Sequence, residues 1–232
     1  MNIPNGIFPA ITVFAGATVL ACVLISAKVS GQESLRTAEY DYEAPAPGTY
    51  ELPIIKTAGD GEVLDSEGRA FHLREITHGR ITVLSFIYTR CADGKACPYA
   101  TGVLNQLHRQ SEKDAVLARG LRLVSMSFDP EIDTPNRMKS YSSWAATRVK
   151  GCEWAFVTTR SQSELKPILE QYGQIVDRKR NPLEPTGPLN HNLRVYLIDG
   201  EGNVRNIYSS GTLDVRLVLA DVRTLLEKQE RN

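Results

Sequence analysis

The chain has 232 residues, 42% of them hydrophobic and 23% charged, which is enough apolar matter for a packed core and excludes a disordered polar tract. Lys plus Arg and Asp plus Glu both number 27, so the formal net charge is zero. With no basic stripe along the chain, no nucleic-acid partner is expected.

The first element is unlike the rest. Ile7–Ala27 carries no charged residue, and a helix of about 20 residues spans roughly 30 Å, the hydrocarbon thickness of a bilayer. No Lys or Arg precedes it and no clean A-x-A site follows, so residues 1–31 read as an uncleaved signal anchor, with a cleaved signal peptide as the alternative. Cys22 lies inside the run and reads as a buried apolar thiol. Export would place the remainder in an oxidising compartment. Three cysteines remain there, Cys91, Cys97 and Cys152. An odd count suits a reactive pair plus a spare better than a disulfide framework.

Residues 32–50 are polar, with Pro45 and Pro47 near the end, and read as a linker. A domain over 51–232 follows. Short β segments are expected at Glu51–Ile55 and Glu62–Leu64. The turn Asp65-Ser66-Glu67-Gly68 then leads into Ala70–Leu73 as a hairpin. Ile81–Tyr88 is too apolar for a one-sided strand and reads as a central, buried one. Pro98 opens a helix whose Ala100, Val103, Leu104 and Leu107 share one face.

Leu121–Phe128 is the next buried strand, and Thr134-Pro135 cap a helix to about Ala146. Trp154–Thr158 is a strand. Ser161 starts a helix through Tyr172, with Glu164 at the capping-box position. Gly173–Leu189, with three prolines and the basic triplet Arg178-Lys179-Arg180, reads as a long loop. Leu193–Ile198 and Val204–Tyr208 form a hairpin, and Thr212 or Asp214 starts a last helix to about Lys228. Strands alternating with helices and closing on a hairpin imply an α/β fold. A thioredoxin-like fold with an extra N-terminal β-hairpin, preceded by a transmembrane helix, matches the order.

The chemistry gathers at two places. Cys91 and Cys97 lie in the loop between a buried strand and the following helix, with five residues between them, at the sheet edge where functional groups collect in open α/β folds. Cys97 stands at the helix N-terminus, where the dipole and free N–H groups favour a thiolate. The second place is Asn190-His191-Asn192, just before the strand at Leu193. In a thioredoxin-like fold His191 would reach the two thiols. Two soft thiolates and an imidazole suit copper as Cu(I) or Cu(II); zinc accepts such ligands but usually takes a fourth.

Several stretches together resemble the Sco/SenC family of copper proteins involved in assembling cytochrome c oxidase. They are Ser85-Phe86-Ile87-Tyr88-Thr89-Arg90-Cys91, Cys97-Pro98, Val124–Pro135 with its Asp129-Pro130-Glu131-Ile132-Asp133-Thr134-Pro135, and His191 ahead of Val195–Asp199. The resemblance covers about Leu52 to Leu226. It implies one copper per domain on Cys91, Cys97 and His191, with a copper donor upstream. The recipient implied is the CuA site of oxidase subunit II or a related respiratory metalloprotein, to be loaded or reduced. The expected location is the bacterial inner membrane, domain in the periplasm. The alternative is a thiol–disulfide oxidoreductase in which Cys91 and Cys97 cycle and His191 only tunes them.

Two departures from the family pattern stand out: three residues usually separate the cysteines, and Asp, not Asn190, usually precedes the histidine. Asp129 and Asp133 read either as helix-capping carboxylates or as groups that order the site loop. Cys152 reads as an inert free thiol, and His72, His78 and His108 as ordinary polar residues.

Overall fold

The computed structural model describes residues 42–146 and 150–231. The apolar run Ile7–Ala27, and the anchor expected there, lie outside them. No helix among the described residues is long and apolar enough to cross a membrane.

The elements follow in chain order: β1 (Lys56–Thr57), β2 (Glu62–Leu64), β3 (Ala70–His72), α1 (Arg74–Thr77), β4 (Ile81–Ile87), α2 (Cys97–Ser111), α3 (Ala115–Gly120), β5 (Leu121–Ser127), α4 (Pro135–Ala146), β6 (Glu153–Val157), α5 (Gln162–Tyr172), β7 (Val176–Arg178), β8 (Leu189–His191), β9 (Val195–Ile198), β10 (Asn203–Tyr208) and α6 (Val215–Arg231). Six strands form one mixed sheet in the order β1-β10-β9-β4-β5-β6. β4, β5 and β6 run parallel, while β9 is antiparallel to both β4 and β10.

The strand β4 is buried along its whole length because both sheet faces are covered. Ile81 and Val83 join Leu104, Leu107, Leu117 and Val222 from α2, α3 and α6 in one core. Leu84 and Phe86 join Met138, Leu165 and Ile168 from α4 and α5 in the other. The result is an α/β/α layering.

Three sequence expectations need correction. The strand placed at Glu51–Ile55 begins later: Ile55 N–H bonds the Val204 carbonyl at 2.9 Å, and Lys56 pairs with Val204. Pro53, which has no N–H to give a ladder, accounts for the shift. The segment Gly173–Leu189 is not all loop, because β7 and β8 pair through it, Val176 opposite His191 and Arg178 opposite Leu189. The short helix α3 was not anticipated. Its signal is present in Asp114, whose carboxylate accepts from the Val116 and Leu117 N–H groups.

Residues 42–50 of the expected linker are fastened along α6. Tyr42 donates to Asp214 at 3.2 Å, the Gly48 N–H to Thr224 at 3.0 Å, and Tyr50 to Asp221 at 2.5 Å. Asp221 is buried and also accepts from Tyr208 and Asn206 at 2.6 and 2.8 Å. A carboxylate withdrawn from water needs such donors to offset the cost of its burial.

Candidate metal centre

The sheet topology brings the candidate residues to one edge. Cys91 follows β4 at its carboxyl end. Because β9 runs antiparallel to β4, with Val195 opposite Ser85, the chain entering β9 arrives at that same edge. His191, at the end of β8, therefore lies over the two sulfurs. Its Nε2 is 3.4 Å from Cys97 Sγ and 4.0 Å from Cys91 Sγ, and the three donor atoms all lie within 4.8 Å of one another. The Nδ1 lies 3.4 Å from the Leu189 carbonyl, so the nitrogen aimed at the sulfurs is Nε2.

The five-residue spacing is accommodated by a local turn. Asp93 accepts the Lys95 N–H on its side chain at 3.0 Å and the Ala96 N–H on its carbonyl at 3.0 Å, an Asx-type turn that folds the extra length back. Cys97 is thereby the first helical residue, buried, with Pro98 behind it.

That placement reverses which sulfur holds the negative charge. The Cys97 thiol donates to Cys91, and His191 and the Cys97 and Asp93 N–H groups also point to the Cys91 sulfur, so its pKa is held well below the ordinary thiol value. Cys97, donating to Cys91 and buried, is pushed up. The Cys97 N–H at the helix start favours both sulfurs, and the hydrogen bond from the Cys97 thiol is what puts the charge on Cys91. Cys152 is free, and burial pushes its pKa up to about 11; its sulfur lies in the core on the other face of the sheet from Cys97.

With a folded-state pKa below the usual thiol range, Cys91 remains a thiolate as pH falls below about 8.5, whereas the other two are protonated. Limiting iodoacetamide added to the reduced, metal-free protein at pH 6 should alkylate Cys91 first. Peptide mapping that found the label first on Cys97 or Cys152 would contradict the assignment.

Asp129 and Asp133 hold the loop. The Asp133 carboxylate is fully buried and accepts from the Thr89 N–H at 2.9 Å, the Thr89 hydroxyl at 2.5 Å and the Ser127 hydroxyl at 2.7 Å. It ties the start of the cysteine loop to the end of β5. Asp129 receives Arg90 at 2.8 Å. Of their two readings, the loop-ordering one describes these contacts. Asn190 is exposed and sits opposite Asp177 in the β7–β8 ladder, so a carboxylate stands across the ladder from it.

The donor set fits a soft metal ion. Two sulfurs and an imidazole nitrogen that lie within 4.8 Å of one another would hold such an ion between them. Cys97 forms the floor, while Cys91 and His191 are partly open to solvent, leaving one approach for an ion or a partner.

A model of the SCO1/SenC family matches residues 55–227. A SCO1 protein homolog of Bacillus subtilis is 27% identical over 136 residues, which covers 58% of this chain and 65% of that protein's length. Among solved structures, Bradyrhizobium japonicum ScoI with copper bound superposes with a TM-score of 0.58 at 22% identity, covering 73% of this chain and 99% of the other. BsSco, described as a member of the Sco family of cytochrome c oxidase assembly proteins with a disulfide switch, superposes with a TM-score of 0.60 at 21% identity, covering 76% and 98%. At these identities the two superpositions establish a shared fold.

Proposed function

The chain belongs to the SCO1/SenC family, and on that ground we propose that it is a copper metallochaperone that binds one copper ion per domain through Cys91, Cys97 and His191. The observation that carries this reading is the convergence of two sulfurs and one imidazole nitrogen within 4.8 Å. The thiolates are soft donors that retain Cu(I), and the imidazole adds a ligand suited to Cu(II). The thiol–disulfide oxidoreductase reading needs the cysteines but not a histidine nitrogen 3.4 Å from one sulfur. Copper bound to the Bradyrhizobium relative lends support. Oxidising the pair to a disulfide removes both thiolates, so the copper-loaded and disulfide forms exclude one another.

Titrating the reduced, metal-free protein with Cu(II) should raise a thiolate-to-copper charge-transfer band that saturates at one equivalent. If no band appears and no copper survives desalting, the chaperone reading fails.

The copper goes, in this reading, to a respiratory oxidase subunit or a related copper-receiving protein, and comes from a separate donor. The oxidase-assembly role ascribed to BsSco supports that recipient class. The uncharged run Ile7–Ala27 supports an anchor in the inner membrane with the domain in the periplasm. On that reading the protein stays with membranes through a carbonate wash and its domain is open to protease from the periplasmic side. A soluble mature form beginning between about Lys28 and Glu33 would show cleavage instead.

A further inference from the structure

Tyr88 touches both Cys91 and His191. Its carbonyl accepts the Cys91 N–H at 3.1 Å. Its ring stands edge-on to the His191 imidazole, with centroids 5.4 Å apart and planes at 86°. Phe128 also packs against the imidazole, at 5.1 Å. The buried phenol donates its hydrogen to the Thr186 carbonyl at 3.1 Å, in the loop between β7 and β8, and the Cys91 side chain is a second hydrogen-bond neighbour of the hydroxyl.

The next residue makes that contact possible. Gly187 has φ of +98°, and a Cβ there would overlap the Tyr88 hydroxyl and come within 3.2 Å of the Arg90 carbonyl. Only glycine lets this loop settle on the phenol and on the cysteine loop together. The loop also closes on itself, through Lys179 N–H to the Pro188 carbonyl at 2.9 Å and Lys179 to Glu184 at 3.0 Å.

We propose that the Tyr88 hydroxyl, seated against Gly187, is a latch that positions His191 and so sets how far the site favours Cu(II) over Cu(I). The inference rests on the three-ligand reading above. The hairpin carrying His191 is only three residue pairs long, too short to hold its end rigidly by ladder bonds alone. The latch fixes its loop to the strand that delivers Cys91. Two thiolates hold Cu(I) without the imidazole, whereas Cu(II) draws on the nitrogen, so loosening His191 weighs chiefly on Cu(II).

The test uses the full chain in four forms: wild type, Tyr88→Phe, His191→Ala and the double variant, each titrated with Cu(II) and Cu(I). Tyr88→Phe keeps the ring and deletes the hydrogen bond. It should weaken Cu(II) by about tenfold, the lower end of what supporting contacts to metal ligands carry, shift the charge-transfer band and weaken Cu(I) far less. In the His191→Ala background it should have no further effect on Cu(II), a non-additivity that general destabilisation does not produce.

Gly187→Ala, which drives the loop off the phenol by another route, should reproduce the shift and carries the test if Tyr88→Phe folds poorly. The latch is refuted if Tyr88→Phe matches wild type while His191→Ala weakens Cu(II), or if Tyr88→Phe weakens Cu(II) equally with and without His191. If His191→Ala itself leaves Cu(II) binding intact, the three-ligand reading fails first.

Discussion

Cys97→Ser yields a folded protein that retains no copper through desalting. Cys97 is buried beneath the other two donors, and serine fits the same space. Its hydroxyl can still donate toward the Cys91 sulfur, as the thiol does. The metal-free fold therefore changes by no more than about 1 kcal/mol, the net size of one hydrogen bond.

What serine cannot supply is a thiolate. A soft ion left with one sulfur and one nitrogen loses more than the 10–100-fold that disturbing a supporting contact costs. Cys152→Ser serves as the control: that thiol packs in the opposite core, so copper stays at one per domain. Metal analysis after desalting, with thermal melts of the metal-free forms, decides the matter. Stoichiometric copper on Cys97→Ser would remove that residue from the site.

The parts of this fold that can be read from sequence are those whose patterning is local and strong. The run Ile81-Thr82-Val83-Leu84-Ser85-Phe86-Ile87 names a central strand because both of its faces are apolar, and the structure buries every residue of it. Thr134-Pro135 and Ser161 mark helix starts through capping chemistry that needs nothing distant. Ser161 accepts the Glu164 N–H at 3.3 Å, although the Glu164 carboxylate reaches the Arg160 N–H instead of the cap residue's own. Of the two starts considered for α6, the structure takes Asp214, which receives the Arg216 N–H at 2.9 Å.

What stayed hidden depends on distance along the chain. β7 and β8 are three residues each, partly charged, and separated by a stretch with three prolines. Neither has the alternation that announces a strand, and the loop between them is seated on Tyr88, far away in sequence. The charge on the cysteines was hidden for a related reason. Sequence places Cys97 at a helix start, which suggests its own thiolate. Only the turn at Asp93 shows that the Cys97 thiol and the Asp93 N–H come to the Cys91 sulfur. Asp133 was visible as a capping candidate, yet its three partners come from Thr89 and Ser127, contacts that no spacing rule connects.

His191→Ala separates the two oxidation states of the metal. Cu(II) binding falls by about a hundredfold or more, since a direct ligand outweighs a supporting contact, and the charge-transfer band moves because the remaining donors are both sulfur. Cu(I) falls far less, because Cys91 and Cys97 still provide the two soft ligands that it accepts at low coordination. From sequence, an imidazole at a loop edge leaves stability nearly unchanged when removed. The structure alters that expectation, because the ring packs against Tyr88 and Phe128, and losing such aromatic contacts costs about 1 kcal/mol. A modest drop in the metal-free melt is therefore expected and does not by itself make His191 structural. The deciding quantity is the ratio of Cu(II) to Cu(I) affinity in variant and wild type, since a loss of fold stability would weigh on both ions alike. An unchanged ratio, with an unmoved band, would sink His191 as a ligand and leave a two-thiolate site for which the oxidoreductase reading becomes the better account.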